Sequence, residues 1–232
     1  MAIKPILFNT EMVRAILDGR KTCTRRLVKP QPKSKLCYTF AGSDSDTWGY
    51  PNRTAHEIWG EEFKLPNDIT EEELSKRWNP PYHTDDILYV RETWCGLPVN
   101  EAGHMRGHTI YYYKADGELR PKGWRGTWHP SIHMPKEAAR IWLKVTDVRV
   151  ERLQEITDNE CIKEGIYPSN CRDCNDIFGC DVCPDEGYDE VDKFVEVWNS
   201  TIKKSDLNCY GWDANPWVWV IEFERCEKPE GV

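Results

Sequence analysis

No run of apolar residues in this chain approaches the roughly 20 needed to cross a bilayer, and the N-terminus has no apolar stretch of the kind that marks a secretory signal. Excess positive charge is also missing: 31 Lys and Arg stand against 39 Asp and Glu, a formal net charge of -8 over 232 residues. A protein that coats nucleic acid is normally basic, so any polyanion must here be met locally. Histidine is scarce, six in all, and none is followed two positions later by glutamate. That excludes the H-x-E element which zinc deaminases place upstream of their paired cysteines. No internal repeat is present. These absences lead us to expect a cytoplasmic protein without membrane contact, built as one domain that carries large insertions.

The most informative stretch runs from Gly19 to Arg26: Gly-Arg-Lys-Thr-Cys-Thr-Arg-Arg. It follows a short amphipathic helix, with Thr10 as the expected N-cap and an apolar stripe of Met12, Val13, Ile16 and Leu17. Gly19 suits the left-handed position that ends a helix. Thr22 to Val28 then reads as a strand, on which Lys21 and Thr24 share a side only if Lys21 still belongs to the turn. Arg14, Arg20, Lys21, Arg25, Arg26, Lys29, Lys33 and Lys35 make this the basic part of the chain.

Ile3 to Phe8 reads as a strand ahead of that helix. Pro30 to Pro81 is rich in turn residues and acid, with one short helix near Glu71 to Trp78. Asp86 to Trp94 is a largely apolar strand, and its Arg91 and Glu92 stand out as ionisable groups where burial is expected. Thr109 to Lys114 and Ala139 to Arg152 are further strands. Thr157 to Glu160 is a capping box opening a helix that Gly165 closes. Val191, Phe194, Val195, Trp198 and Ile202 have helical spacing, and Trp217 to Phe223 is the closing strand. The sum is an α+β fold, a small mixed β-barrel with helices on its outside.

Four of the ten cysteines are clustered. Cys171, Cys174, Cys180 and Cys183 form a C-x2-C-x5-C-x2-C array, the spacing of two knuckles that turn their thiolates onto one metal. Zinc is preferred to an iron–sulfur cluster or to disulfides. With four protein ligands no position stays open for water, so this zinc would be structural.

Gly19, Lys21 and Arg26 fill a G-x-K-x-x-x-x-R pattern. Asp86 to Trp94, Ser131 to Pro135, Ala139-Arg140-Ile141 and Asn215 to Val220 accompany it. In these segments the chain resembles phage- and prophage-encoded members of the ASCH family, whose domain is a PUA-like barrel. Insertions about 33–84, 96–108 and 167–188 fall outside the likeness. The resemblance implies a cleft for a nucleoside, a modified base or single-stranded RNA, and a bacterial host cytoplasm. Some small ASCH proteins hydrolyse N4-acetylcytidine with a lysine, a threonine and a glutamate. Those residues would here be Lys21, Thr24 and Glu92.

On the chemistry alone, Thr24 would be the nucleophile and Lys21 its base, with Glu92 assisting. That requires burial beside Arg25 or Arg26 to lower a lysine that ordinarily titrates at about 10.4. The competing arrangement is a Lys21–Glu92 ion pair with no chemistry. Gly19, Arg25, Arg26, Arg91 and Arg140 are the expected nucleic-acid contacts. Trp94, Trp124, Trp128 and Trp217 are candidates to stack on a base, while Trp142, Trp198 and Trp219 fall on core faces. Two other functions stay open: a binding module without catalysis, and a phage protein that engages a host protein through the cysteine-containing insertion.

Overall fold

The computed structural model describes residues 1–38, 47–99, 108–117, 127–167 and 190–231. The cysteine quartet, Trp124 and most of the 96–108 and 167–188 insertions lie outside the described residues.

A five-stranded sheet organises the molecule. It comprises β1 (Ile3–Leu7), β2 (Cys23–Leu27), β6 (Ile87–Arg91), β9 (Trp142–Arg152) and β10 (Trp217–Cys226), in the order β1-β6-β9-β10-β2. Only β1 and β6 run parallel; the other pairs are antiparallel. The edges β1 and β2 do not pair with each other among the described residues, so the expected barrel is here an open sheet in an α+β fold. The sequence joins those two edges through α1 (Thr10–Leu17). Its N-cap is Asn9, one residue earlier than expected: the Asn9 side chain accepts the Met12 N–H at 2.8 Å. Asn and Thr are adjacent here and both cap well, so the sequence alone does not rank them. Gly19 ends the helix at φ +78° as anticipated.

Three small strands arise in this turn-rich segment: β3 (Cys37–Tyr38), β4 (Trp48–Gly49) and β5 (Arg77–Trp78), the last taking the end of the stretch expected as a helix to Trp78. They form their own sheet, accompanied by α2 (Ala55–Trp59) and α3 (Glu71–Leu74). Two-residue strands have no periodicity to read. A hairpin of β7 (Trp94–Val99) and β8 (His108–Tyr113) makes a third sheet. The expected strand 86–94 is therefore divided, because the chain leaves one sheet after Arg91 and enters another at Trp94.

Both faces of the main sheet are covered. On one, Ile6, Val13, Ile16, Leu88, Trp219 and Ile221 pack with Leu36, Tyr50, Ile69 and Trp78, so the 33–84 segment contributes directly to the principal core. On the other, Val218 and Val220 pack against α4 (Asp158–Lys163) and α5 (Glu190–Thr201) through Cys161, Phe194 and Trp198. The capping box at Thr157 and Glu160 is present as predicted. A remaining helix, α6 (Leu207–Tyr210), precedes β10. Among the described residues, no helix is long and apolar enough to cross a membrane.

Candidate functional site

Lys21 does belong to the turn after α1: its N–H and that of Arg20 both donate to the Ala15 carbonyl. Its side chain is fully buried. The ammonium donates to the Cys23 carbonyl at 2.7 Å, the Glu164 carbonyl at 2.7 Å and the Glu164 carboxylate at 2.9 Å. Three donors thus meet three acceptors. Gly165 makes this fit: at φ +101°, a Cβ on it would lie 2.9 Å from Ala15 Cβ and 3.4 Å from Lys21. The Thr22 N–H, donating to the Lys163 carbonyl at 2.9 Å, ties the end of α4 to the same turn.

Thr24 and Arg26 alternate with Arg25 along β2 and face the other way. Thr24 is buried, and its Oγ1 accepts from Arg26 Nη1 at 2.9 Å. The same Nη1 donates to the Arg25 carbonyl at 3.0 Å. The Phe8 ring stands beside both cations, 5.3 Å from Lys21 Nζ and 5.8 Å from the Arg26 guanidinium.

Glu92 is buried and separate from these groups. It takes a two-pronged contact from Arg140, Nε to Oε1 at 2.9 Å and Nη2 to Oε2 at 3.0 Å. Burial pushes its carboxyl above the ordinary glutamate range, with the two Arg140 bonds pulling against that. Arg140 also reaches Asp116 at 2.7 Å and lies 4.0 Å over the Tyr113 ring. Among the described residues, no hydrogen bond joins Lys21 or Thr24 to Glu92. The three expected catalytic residues are engaged in three different contacts.

The expected anion-binding arginines divide similarly. Arg25 is buried among Glu151, Glu160 and Glu164, at 3.5, 3.1 and 3.4 Å. Arg91 holds the carbonyls of Ile132 and Met134. Arg25 is thus buried among its partners, the half-buried Arg91 and Arg140 are bonded to protein groups, and Gly19 serves the turn. Arg26 is half-buried and lines a pocket. Of the candidate stacking tryptophans, Trp217 is a core residue, while Trp94 packs on Tyr111 and His129. Trp142, Trp198 and Trp219 are buried as predicted.

That pocket has a volume of about 240 Å³. Thr24, Arg25 and Arg26 line it from β2 and Glu164 from the end of α4, and Ile166, Phe194 and Trp198 form apolar walls beyond α4 and on α5. Sequence reasoning missed Glu164, although Glu160 and Glu164 stand four apart on one helix and so share a face. Their spacing was the signal that two carboxylates share one face of the helix, though not of which cations they would meet. Among the described residues no cluster of His, Cys, Asp or Glu is arranged to hold a metal ion. No family model matches the chain, and neither does any curated protein or solved structure.

Proposed function

We propose that this chain is an ASCH-type, PUA-like protein that binds a nucleobase, as a nucleoside or within single-stranded RNA, in the pocket between β2 and α5. The supporting observation is that Thr24 and Arg26, next to the Gly19-x-Lys21 turn, line a pocket of about 240 Å³ whose other walls include Phe194 and Trp198. A volume below the usual range of about 300–1,000 Å³ for ligand sites suits one small planar group. Aromatic walls favour a base, with stacking worth about 1–3 kcal/mol. The Arg26 fork, half-buried on the edge strand, adds donors for a ring carbonyl or a phosphate oxygen. The proposal includes a sheet curled toward the PUA-like barrel and a structural zinc on Cys171, Cys174, Cys180 and Cys183. It also includes a phage or prophage origin within a bacterial cytoplasm.

Calorimetric titration with cytidine, N4-acetylcytidine and a short single-stranded RNA tests the reading. Saturable binding that falls at least about tenfold in Arg26→Ala is expected, a loss of about 1.4 kcal/mol. Absence of binding to all three at low salt would sink it.

A second reading is hydrolysis of N4-acylated cytidine, favoured by the Arg26 Nη1 bond to Thr24 Oγ1. That donor stabilises negative charge developing on the oxygen. Thr24 would attack the acyl carbonyl, cytidine would leave with the proton on its amine, and water would release the acid from Thr24. Lys21 and Glu92 take part only if they exchange Glu164 and Arg140 for substrate. Release of cytidine from N4-acetylcytidine, abolished in Thr24→Val, is the expected result; no turnover leaves binding as the function.

A further inference from the structure

A second concavity is built by the 33–84 segment against the Arg149–Glu151 stretch of β9. Its volume is about 670 Å³, and Tyr38, Trp48, Trp59 and Phe63 furnish its aromatic walls. The rings meet edge to face, Tyr38 with Trp48 at 5.7 Å and Trp59 with Phe63 at 5.7 Å. Trp48 is backed in turn by Trp219 of the core at 5.6 Å. Two of these rings are open to solvent, Trp59 at 55% and Tyr38 at 43%. Leaving a tryptophan so exposed gives up burial that the core would otherwise gain.

The charges around the groove decide what it can hold. Arg149 lines it, but its guanidinium is spent on Asp147, Glu151, Glu160 and Glu222. Four carboxylates thus surround this one guanidinium, and of them only Glu151 and Glu160 are shared with a second cation, Arg25. Lys35, the other cation of the lining, is matched by Glu62 at 2.7 Å. A phosphate finds its donors taken and carboxylates in surplus. A cation finds aromatic faces and an uncompensated negative field. One ammonium already uses this wall: Lys35 Nζ lies 4.9 Å from the Phe63 ring centroid.

We infer that this groove binds a small organic cation carrying an alkylated ammonium group. Four aromatic rings line the groove, and an alkylated ammonium, less hydrated than a primary one, presents apolar surface to them while keeping the charge that the neighbouring carboxylates favour. The volume leaves room for the rest of such a molecule beside its ammonium group. The residues differ from those of the β2–α5 pocket, so this inference is independent of the nucleobase proposal.

Titration of the full chain with choline, alongside its uncharged carbon isostere 3,3-dimethyl-1-butanol, tests the inference. Choline should bind saturably and at least about tenfold more tightly than the isostere. Trp59→Ala should weaken choline about three- to thirtyfold, with circular dichroism unchanged, and Trp59→Phe should recover part of the loss. No saturable choline binding overturns the inference, as does equal affinity for the isostere, which would leave only an apolar groove. Choline binding indifferent to Trp59→Ala overturns it by moving the site elsewhere. A short single-stranded RNA that loses affinity in Trp59→Ala and is not displaced by choline assigns the groove to nucleic acid instead.

Discussion

Replacing Lys21 by methionine keeps the apolar stem and deletes the ammonium alone. In the parent that ammonium has three acceptors, two carbonyls and the Glu164 carboxylate. Without it, Glu164, whose side chain is 6% exposed, keeps among the described residues only Arg25 Nη1 at 3.4 Å. Each orphaned buried acceptor costs about 1–3 kcal/mol, and a broken buried ion pair about 3–5 kcal/mol. These penalties describe the same groups and do not add, so about 3–5 kcal/mol is the expected loss. For a chain of this size that is a fall in Tm of about 6–20 °C. Urea denaturation followed by tryptophan fluorescence measures it directly. Adding Glu164→Leu to Lys21→Met removes the stranded charge and should recover about half the loss, whereas additive effects would contradict the pairing. The decisive contrary result is Lys21→Met within about 1 kcal/mol of the parent in stability but without hydrolysis of N4-acetylcytidine. Lys21 would then be poised for chemistry and would not be bracing the turn.

Other perturbations follow from the same contacts. Arg140→Ala strands Glu92, and a loss of about 3–5 kcal/mol is expected at pH 7; because the Glu92 pKa is raised by burial, that loss should shrink as pH falls and the carboxyl takes up a proton. Urea midpoints measured from pH 7 down to pH 4 check the sign. For Asp86, burial acts to raise the carboxyl, but Lys4 and the Ala2 and His83 amides override it and hold it below the ordinary aspartate value. Its contribution to stability is therefore present above about pH 4 and lost as pH falls through its folded value, and Asp86→Asn should flatten acid unfolding in that window. Gly165→Ala forces a Cβ to 2.9 Å from Ala15 at a left-handed φ; a loss of about 2 kcal/mol is expected, visible as a Tm lower by about 4–8 °C. Elemental analysis of purified protein should find one zinc per chain, reduced by Cys171→Ser together with Cys174→Ser.

Local signals were the legible ones. The α1 stripe, the Gly19 terminus, the Thr157–Glu160 capping box and the strand at Trp217 are each written in residues within a few positions of one another. What was not legible is long-range pairing. Glu92 and Arg140 are 48 positions apart, and Lys21 and Glu164 are 143 apart. Nothing in the periodicity of either segment selects one cation for one carboxylate, because several of each are available and only the folded sheet decides which are neighbours. The paired strand and the turn were visible; their partners were not. The same limit applies to the aromatic groove, whose rings come from the 33–84 segment that lacked regular patterning.

The strand order β1-β6-β9-β10-β2 sets a schedule for biosynthesis. Among the described residues β2, which carries Thr24 and Arg26, hydrogen-bonds within the sheet only to β10, which follows it far along the chain at Trp217–Cys226. During translation β2 waits, as an unpaired edge, for β10 to be made. Such distant pairing makes folding slow and exposes the waiting strand to wrong partners. Until β10 has emerged, Thr24 and Arg26 have no sheet partner to hold them, so the β2 wall of the pocket is set only by a pairing that spans most of the intervening chain.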